Sequence, residues 1–138
     1  MYRPSGLTAL SVFNFILAGY NLLGVLGLFI LLSQRATGGP AHGAANLPDA
    51  LIYLALAYRT VDLALLVTAG VGYLKLKRVL GRWIGTAEAL VSLVFFAVMV
   101  GYTRSQGVPF SFGYLSQLVY PGLTLLLLNV VFRRNLVN

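Results

Sequence analysis

Apolar and polar residues alternate in blocks along the chain, with four apolar runs separated by short polar segments. The runs cover about 7–32, 50–74, 83–102 and 112–132. A helix needs about 20 predominantly apolar residues to cross the hydrocarbon core of a bilayer, and each run reaches that length. The pattern therefore predicts four membrane-spanning helices in an all-α integral membrane protein.

The segments between the runs are short. Residues 75–82 read KLKRVLGR and residues 103–111 read TRSQGVPFS, while the segment after the first run is rich in Gly, Ala and Pro. Because helices joined by short loops pack as antiparallel neighbours, we expect residues 1–138 to form one up-down four-helix bundle. The first run is far longer than the apolar core of about 7–15 residues in a secretory signal peptide, which predicts a retained helix.

Composition supports lipid as the solvent of this protein. Of its 138 residues, 59% are hydrophobic and 9% are charged, whereas a soluble domain carries about 25% charged residues. The chain has no cysteine, which excludes disulfides and thiolate metal ligands. Its compactness and its richness in Ala, Gly, Leu and Arg favour a bacterial inner membrane.

The distribution of Lys and Arg predicts the orientation of the helices. With alternating spans, one side of the membrane receives Arg3, Lys75, Lys77, Arg78, Arg82, Arg133 and Arg134. The other side receives Arg35 and Arg104. Because cytoplasmic loops carry the excess of Lys and Arg, we expect both termini and residues 75–82 to be cytoplasmic.

The basic residues also bear on the partners of the protein. A net charge of +7 would indicate nucleic acid in a soluble chain, but no basic stripe or RNA-binding motif accompanies it, so no nucleic acid is expected. Basic residues near a membrane surface can instead contact anionic lipid head groups, at about 1 kcal/mol each. The alternative is that they only set the orientation. The candidates are Lys75, Lys77, Arg78, Arg82, Arg133 and Arg134.

Two opposite charges lie within the second apolar run, at Arg59 and Asp62. A charge near the bilayer centre costs about 2.5–3.5 kcal/mol on insertion scales. Residues three apart share a helix face, so the two side chains can pair and offset part of this cost. The alternative is that Arg59 extends toward the outer surface and leaves Asp62 to polar groups of other helices.

Counting about 1.5 Å per residue along each helix, we expect other helices to bring polar side chains to the level of Asp62. Two of these residues, Gln117 and Tyr120, are close to Pro121 in the sequence. Pro121 is expected to kink the fourth helix and to free a backbone carbonyl there. The expected intramembrane polar layer consists of Arg59, Asp62, Asn21, Tyr20, Gln117 and Tyr120.

A second polar site is expected nearer the cytoplasmic edge, around Glu88. Ser92 shares a helix face with Glu88, and Asn14 lies at a similar height on the first helix. The alternative is that Glu88 turns back toward Arg82 or Lys75 at the interface.

The chain offers little catalytic chemistry. His42 is its single histidine, and no cysteine is present, so a metal site built from these ligands is not expected. No Gly-rich phosphate loop follows a strand. We therefore expect no enzyme activity and no cofactor. Asp49, which follows Pro48, is expected to cap the second helix.

Two functions fit these features, and both involve the lipid bilayer and further membrane subunits. The first is an accessory or assembly subunit of a membrane complex or homo-oligomer, in which the polar layer fixes the bundle or docks it on a neighbour. The alternative is a small channel or transporter subunit with a polar pathway at Asp62, Gln117 and Tyr120. A permanent partner such as Arg59 makes an acid a poorer proton carrier, which favours the first. A cavity open to one side would favour the second.

The stretch GYLKLKRVLGRWIGTAEALVSLV, residues 72–94, resembles hairpins of small bacterial four-helix membrane proteins. The resemblance covers about a sixth of the chain and consists mostly of a basic turn between two apolar runs. It implies a helical hairpin and no particular activity.

Overall fold

The structure, a computed structural model, describes residues 5–38, 48–107 and 112–132, with residues 112–117 described by their backbone alone. Four helices are α1 (Ser5–Ala36), α2 (Asp49–Leu74), α3 (Ile84–Ser105) and α4 (Phe112–Leu126). A π-helical turn, Arg78–Trp83, leads into α3, and a second one, Leu127–Val131, continues α4. The described part of the chain is almost entirely helical and holds no strand, which confirms the all-α prediction.

Three helical segments are long and apolar enough to cross a membrane. These are Ser5–Ala36, Asp49–Leu74 and Arg78–Ser105. For these three segments the predicted length and apolar character of a membrane span are confirmed. The fourth helix is continuous from Phe112 to Val131, but the apolar part with described side chains, Leu118–Val131, is shorter than a span. The fourth span therefore stays a prediction.

The outer surface of the helices is apolar, and several polar side chains are buried. Exposed large side chains on α1 include Phe13, Ile16, Leu23 and Ile30. The buried polar or charged residues are Ser11, Asn14, Asn21, Asp62, Glu88 and Thr124. A protein in water rarely buries charged side chains, and it rarely exposes large apolar side chains over a contiguous surface. This arrangement agrees with lipid around the helices and supports an integral membrane protein.

The largest helix interface joins α1 to α2, which run antiparallel. Small and polar residues of α1 recur at spacings of three and four, which places them on one stripe. The buried residues of this stripe are Leu7, Ser11, Asn14, Ala18 and Asn21. Ser11 Oγ donates to the carbonyl of Gly70 at 2.8 Å, and Asn14 Nδ2 donates to that of Leu66 at 3.2 Å. Side-chain hydrogen bonds thus join the two helices where lipid offers no partner.

A tight turn joins α2 to the π-helical turn before α3. A Cβ atom on Gly72 would collide with the backbone of Leu80 and Gly81, so the two chain segments touch directly. Leu76 adopts a left-handed conformation, with φ of 53°, which reverses the chain within a few residues. Tyr73 packs over Gly85 at the start of α3. These contacts make α2 and α3 an antiparallel hairpin.

A cluster of apolar side chains fills the end of the molecule where α1 begins and α2 ends. Its buried members are Leu7, Leu10, Ala69, Tyr73, Leu128 and Phe132. Phe132 also covers Gly6, where a Cβ would collide with the ring. The cluster joins α1, α2 and the π-helical turn after α4, so the only extended apolar core of the described residues lies at one end and leaves the middle to polar side chains.

The opposite end of the α1–α2 pair carries an ion pair. Arg35 Nη1 lies 2.5 Å from Asp49 Oδ1, and the Asp49 side chain is largely exposed. The prediction that Asp49 caps α2 is wrong, because Pro48 occupies the cap position and makes no side-chain cap hydrogen bond. Asp49 is the first residue of the helix, where its charge faces the basic end of α1.

Candidate functional site

Three polar residues lie at the centres of three different helical segments. Asn21 is at the middle of Ser5–Ala36, Asp62 is at the middle of Asp49–Leu74, and Ser92 is at the middle of Arg78–Ser105. Because these segments run antiparallel, their centres meet at one level. Polar atoms thus converge halfway along segments long enough to cross a bilayer, where water is scarcest.

Asn21 joins the two opposite charges of α2. Its Nδ2 donates to Asp62 Oδ2 at 2.5 Å, and its Oδ1 accepts a hydrogen bond from Arg59 Nη1 at 2.6 Å. A carboxamide carries both a donor and an acceptor, so one side chain satisfies both ions. The described residues contain no direct Arg59–Asp62 ion pair, which corrects the expectation that the two can pair within the helix.

The guanidinium of Arg59 extends along α1 beyond Asn21. It lies 5.6 Å from the centroid of the Tyr20 ring, and a Cβ on Gly24 would be 3.4 Å from its Cζ atom. Tyr20 itself is largely exposed and contributes its ring face rather than a hydrogen bond to Asp62. Arg59 is therefore held against α1 by a hydrogen bond and a cation–π contact.

Ser92 joins Asp62 to Glu88. Its Oγ lies 3.3 Å from Asp62 Oδ1 and 3.3 Å from Glu88 Oε1, and Tyr58 Oη lies at the same distance. The expected separation of Glu88 into a second site is not observed, because Ser92 follows Glu88 by one helical turn and faces α2. A single hydroxyl proton serves two carboxyl groups, so Ser92 can donate to only one of them at a time.

The second carboxylate oxygen of Glu88 has no hydrogen-bond donor among the described residues. The Glu88 side chain is only 2% exposed, so bulk water does not serve it either. The alternative in which Glu88 turns to Arg82 is not observed, since Arg82 Nε lies 3.4 Å from Asn129 Oδ1. A buried acceptor without a donor is costly, and it marks a position where a guest could bind.

The predicted second site placed Asn14 beside Glu88, and this contact is not observed. Asn14 Oδ1 accepts a hydrogen bond from Tyr120, and its Nδ2 bonds to α2. Tyr120 was expected in the layer of Asp62, but its hydroxyl reaches the level of Asn14, nearer the start of α1. The α4 helix continues through Pro121, whose expected kink stays a prediction. The side chain of Gln117 lies outside the described residues.

A half-open cleft of about 380 Å³ lies beside the polar residues. Its charged and polar lining consists of Asn21, Tyr58, Arg59, Asp62, Glu88, Ser92, Tyr20 and Tyr120. Its apolar lining consists of Leu17, Leu66, Phe95, Phe96, Met99 and Pro121. The rings of Tyr58 and Phe95 stack with centroids 3.7 Å apart and an interplanar angle of 2°. The cleft therefore combines acidic groups with aromatic and aliphatic side chains.

The described residues hold no group of three or more His, Cys, Asp and Glu side chains that could bind a metal ion. The titratable groups of the cleft are instead two acids, one arginine and several tyrosines. Arg59 reaches Asp62 through Asn21, whereas Glu88 forms no ion pair with any described Lys or Arg. The local charge is therefore suited to a positively charged guest rather than to an anion.

Comparison with known proteins adds no assignment. No protein-family model matches the chain. The searches of curated proteins and of solved structures also find no match. The function is therefore inferred from the chemistry of the cleft.

The basic residues lie away from the cleft. Lys75, Lys77 and Arg78 are exposed at the turn between α2 and α3, and Arg82 is half-buried, with its guanidinium 5.9 Å from the centroid of the Trp83 ring. Arg133 and Arg134 lie outside the described residues. Lipid head-group contact by these residues stays a prediction.

Sequence reasoning missed four residues of this region: Ser11, Tyr58, Phe95 and Met99. Ser11 could have been found, because it lies three residues before Asn14 and ten before Asn21 on the same stripe. The other three resemble the apolar and aromatic residues that face lipid elsewhere in the chain. No pattern along the chain distinguishes them.

Proposed function

We propose that this protein is a small multi-pass channel or transporter subunit that binds a positively charged species in the cleft at mid-membrane. One observation carries the proposal: among the side chains that the structure describes, the cleft is lined by the acids Asp62 and Glu88 and by a single basic residue, Arg59. Ionisable side chains within a membrane span mark ion and substrate pathways by default. A cavity beside them is the feature that favours passage over a closed structural contact.

The uneven pairing of the two acids supports the same function. Arg59 and Asn21 offset the charge of Asp62, so we assign a structural role to Asp62. Glu88 has one oxygen near Ser92, and the other has no donor within the described part of the chain. The argument that a permanent arginine partner weakens a carboxylate as a carrier applies to Asp62 and not to Glu88. Glu88 is therefore the residue proposed to hold the cation.

The proposed architecture is an up-down four-helix bundle with both termini in the cytoplasm, in a bacterial inner membrane. Antiparallel contacts support it: Tyr120 of α4 bonds to Asn14 of α1, and Asn129 after α4 lies 3.4 Å from Thr86 of α3. The excess of basic residues at the α2–α3 turn supports the orientation. A bundle of four helices would have few interior positions, so the active form is proposed to be an oligomer or a complex with further subunits.

Charge movement across a bilayer tests this function. The purified protein is reconstituted in liposomes on a solid-supported membrane, and currents are recorded after jumps in the concentration of protons, Na⁺, K⁺ or small organic cations. We expect a current with at least one cation. Glu88→Gln should reduce it to the level of protein-free liposomes, because the carboxylate charge is removed at nearly constant size.

Asp49→Asn is the matched control, because Asp49 is the only acid of the chain outside the cleft. Its current should equal that of the unmodified protein. The absence of current with every cation, or equal currents from Glu88→Gln and the unmodified protein, would contradict the transport function.

An accessory or assembly subunit is the second candidate. It is supported by the half-open form of the cleft, because the described helices leave Asn21, Asp62 and Ser92 without a complete enclosure. A neighbouring membrane subunit could complete it. Purification in mild detergent at native expression, with mass identification of co-migrating chains, tests this candidate. Asp62→Asn should then lower the yield of the complex, whereas Asp49→Asn should not.

A further inference from the structure

The cleft contains more than an ion site requires. A proton or a bare metal ion is far smaller than a cavity of about 380 Å³, and it gains little from an aromatic wall. Pockets for small organic ligands begin at about 300 Å³ and combine apolar walls with a few fixed polar groups. The cleft has this composition, because the two acids share its lining with the rings of Tyr58, Phe95 and Phe96.

We infer that the cleft binds a primary or secondary organic ammonium ion with an aromatic or branched apolar body. The inference rests on the proposed function and names the class of its cation. Glu88 Oε2 is the anchor, because this buried acceptor has no donor among the described residues and an ammonium N–H would supply one. The apolar body lies along the Tyr58–Phe95 pair and Met99.

The hydrogen-bonding groups around Glu88 favour an ammonium with N–H groups over a quaternary ion. The Ser92 hydroxyl has one proton and lies near one oxygen of Asp62 and one oxygen of Glu88. When it donates to one of these two oxygens, the other lacks this donor. An ammonium nitrogen carries two or three N–H donors and can bond to Glu88 and Ser92 together. A quaternary ion carries the charge without these donors and leaves the Glu88 acceptor unsatisfied.

The aromatic part of the wall favours an apolar body on the guest. Tyr58 and Phe95 stack on each other and both line the cleft, and aromatic side chains bind cations and aromatic ligands. Met99 provides an adaptable apolar contact beside them. Asn21 and Tyr20 hold Arg59 against α1, so the guanidinium charge lies on the α1 side of the cleft.

Three probes with the same phenyl body separate these contributions. The probes are 2-phenylethylammonium, its N,N,N-trimethyl analogue and neutral 2-phenylethanol. Binding to the purified full-length protein in detergent is measured by isothermal titration calorimetry. We expect the primary ammonium to bind about ten- to a hundredfold more tightly than the trimethyl analogue, which is the effect of a hydrogen bond to a charged group. The alcohol should bind most weakly.

Variants locate the site. Glu88→Gln should lower the affinity for the ammonium to the level of the affinity for the alcohol. Asp49→Asn should leave the affinity for the ammonium unchanged. Phe95→Leu should lower the affinities for the ammonium and for the trimethyl analogue by the same factor, because it removes the ring and keeps Glu88 and Ser92. Thermal melting of each variant without probe shows that the protein is folded.

The outcomes separate this inference from the proposed function. Equal affinity for the ammonium and the alcohol, or ammonium binding that survives Glu88→Gln, overturns the organic ammonium site. If that happens while Glu88-dependent currents of protons, Na⁺ or K⁺ are recorded, the transport function stands and its cation is inorganic. If neither binding nor current is observed, both proposals fail.

Discussion

Asn21 of α1 donates a hydrogen bond of 2.5 Å to Asp62 of α2, at the centre of both helices. The same amide accepts from Arg59, so two ions of one helix are satisfied by a neutral residue of another. The arrangement leaves the Asp62 side chain only 4% exposed. A single substitution on α1 is therefore expected to remove a hydrogen bond from each of two charges of α2.

Asn21→Ala should destabilise the fold by removing the acceptor for Arg59 and the donor for Asp62. In a double-mutant cycle with Asp62→Ala, we expect a coupling free energy of about 1–2 kcal/mol, the upper part of the range for interhelical hydrogen bonds in membranes. The measurement is reversible unfolding in mixed micelles. The pair Leu22→Ala and Asp62→Ala is the control, since Leu22 is exposed on α1, and it should show no coupling.

Gly72→Ala should destabilise the α2–α3 hairpin, because the new Cβ would meet the backbone of Leu80 and Gly81, which cannot move aside like a flexible side chain. We expect a loss of about 1–3 kcal/mol, the cost of overpacking. Gly19→Ala is the matched control, since nothing lies within 4 Å of its Cβ position, and it should be neutral or stabilising. A Gly72→Ala protein as stable as Gly19→Ala would contradict the tight hairpin.

Asp49→Asn should change the free energy of unfolding by less than about 1 kcal/mol, although it breaks a short ion pair with Arg35. The Asp49 side chain is 71% exposed, so water and salt screen the interaction. The measurement is unfolding at low and high salt, where any small difference between the proteins should shrink as salt rises. A loss of several kcal/mol would show that the two helix ends depend on this pair.

The absence of cysteine in the chain allows a direct test of orientation. In cells, Lys77→Cys should be protected from a membrane-impermeant maleimide, and Gln106→Cys should be labelled, because the basic turn is expected in the cytoplasm. Both residues are exposed, so access differs only by the side of the membrane. After the cells are lysed both should react. Labelling of both in intact cells would place the two turns on one side and contradict a membrane-spanning α3.

The positions of the helices could be predicted from the apolar runs, because hydropathy decides which segments enter lipid. The second run was expected at 50–74, and α2 covers Asp49–Leu74. The π-helical turn Arg78–Trp83 could not be predicted in the same way. It accompanies the contact of Gly72 with Gly81, which depends on two chain segments meeting in space.

The polar site was predictable in its level but not in its connections. Counting residues placed Asn21 and Asp62 at one height, and they do bond. The same reasoning left two alternatives for Arg59: a direct pair with Asp62, because residues three apart share a face, or an extension toward the outer surface. An amide on the neighbouring helix satisfies both ions, and helix periodicity alone does not reveal such competition. Likewise, the height of Ser92 gave no sign that its hydroxyl reaches both acids.

The closed turn at Gly72 has a consequence for the biogenesis of this protein. Asp62 and Glu88 belong to the two arms of one hairpin, and Ser92 sits between them on the second arm. As the nascent chain leaves the ribosome, the arms can fold against each other at the translocon before either faces acyl chains alone. We therefore expect both acids to enter the bilayer as one preassembled unit. The helix synthesised before them, α1, then supplies the Asn21 amide that bonds to Asp62.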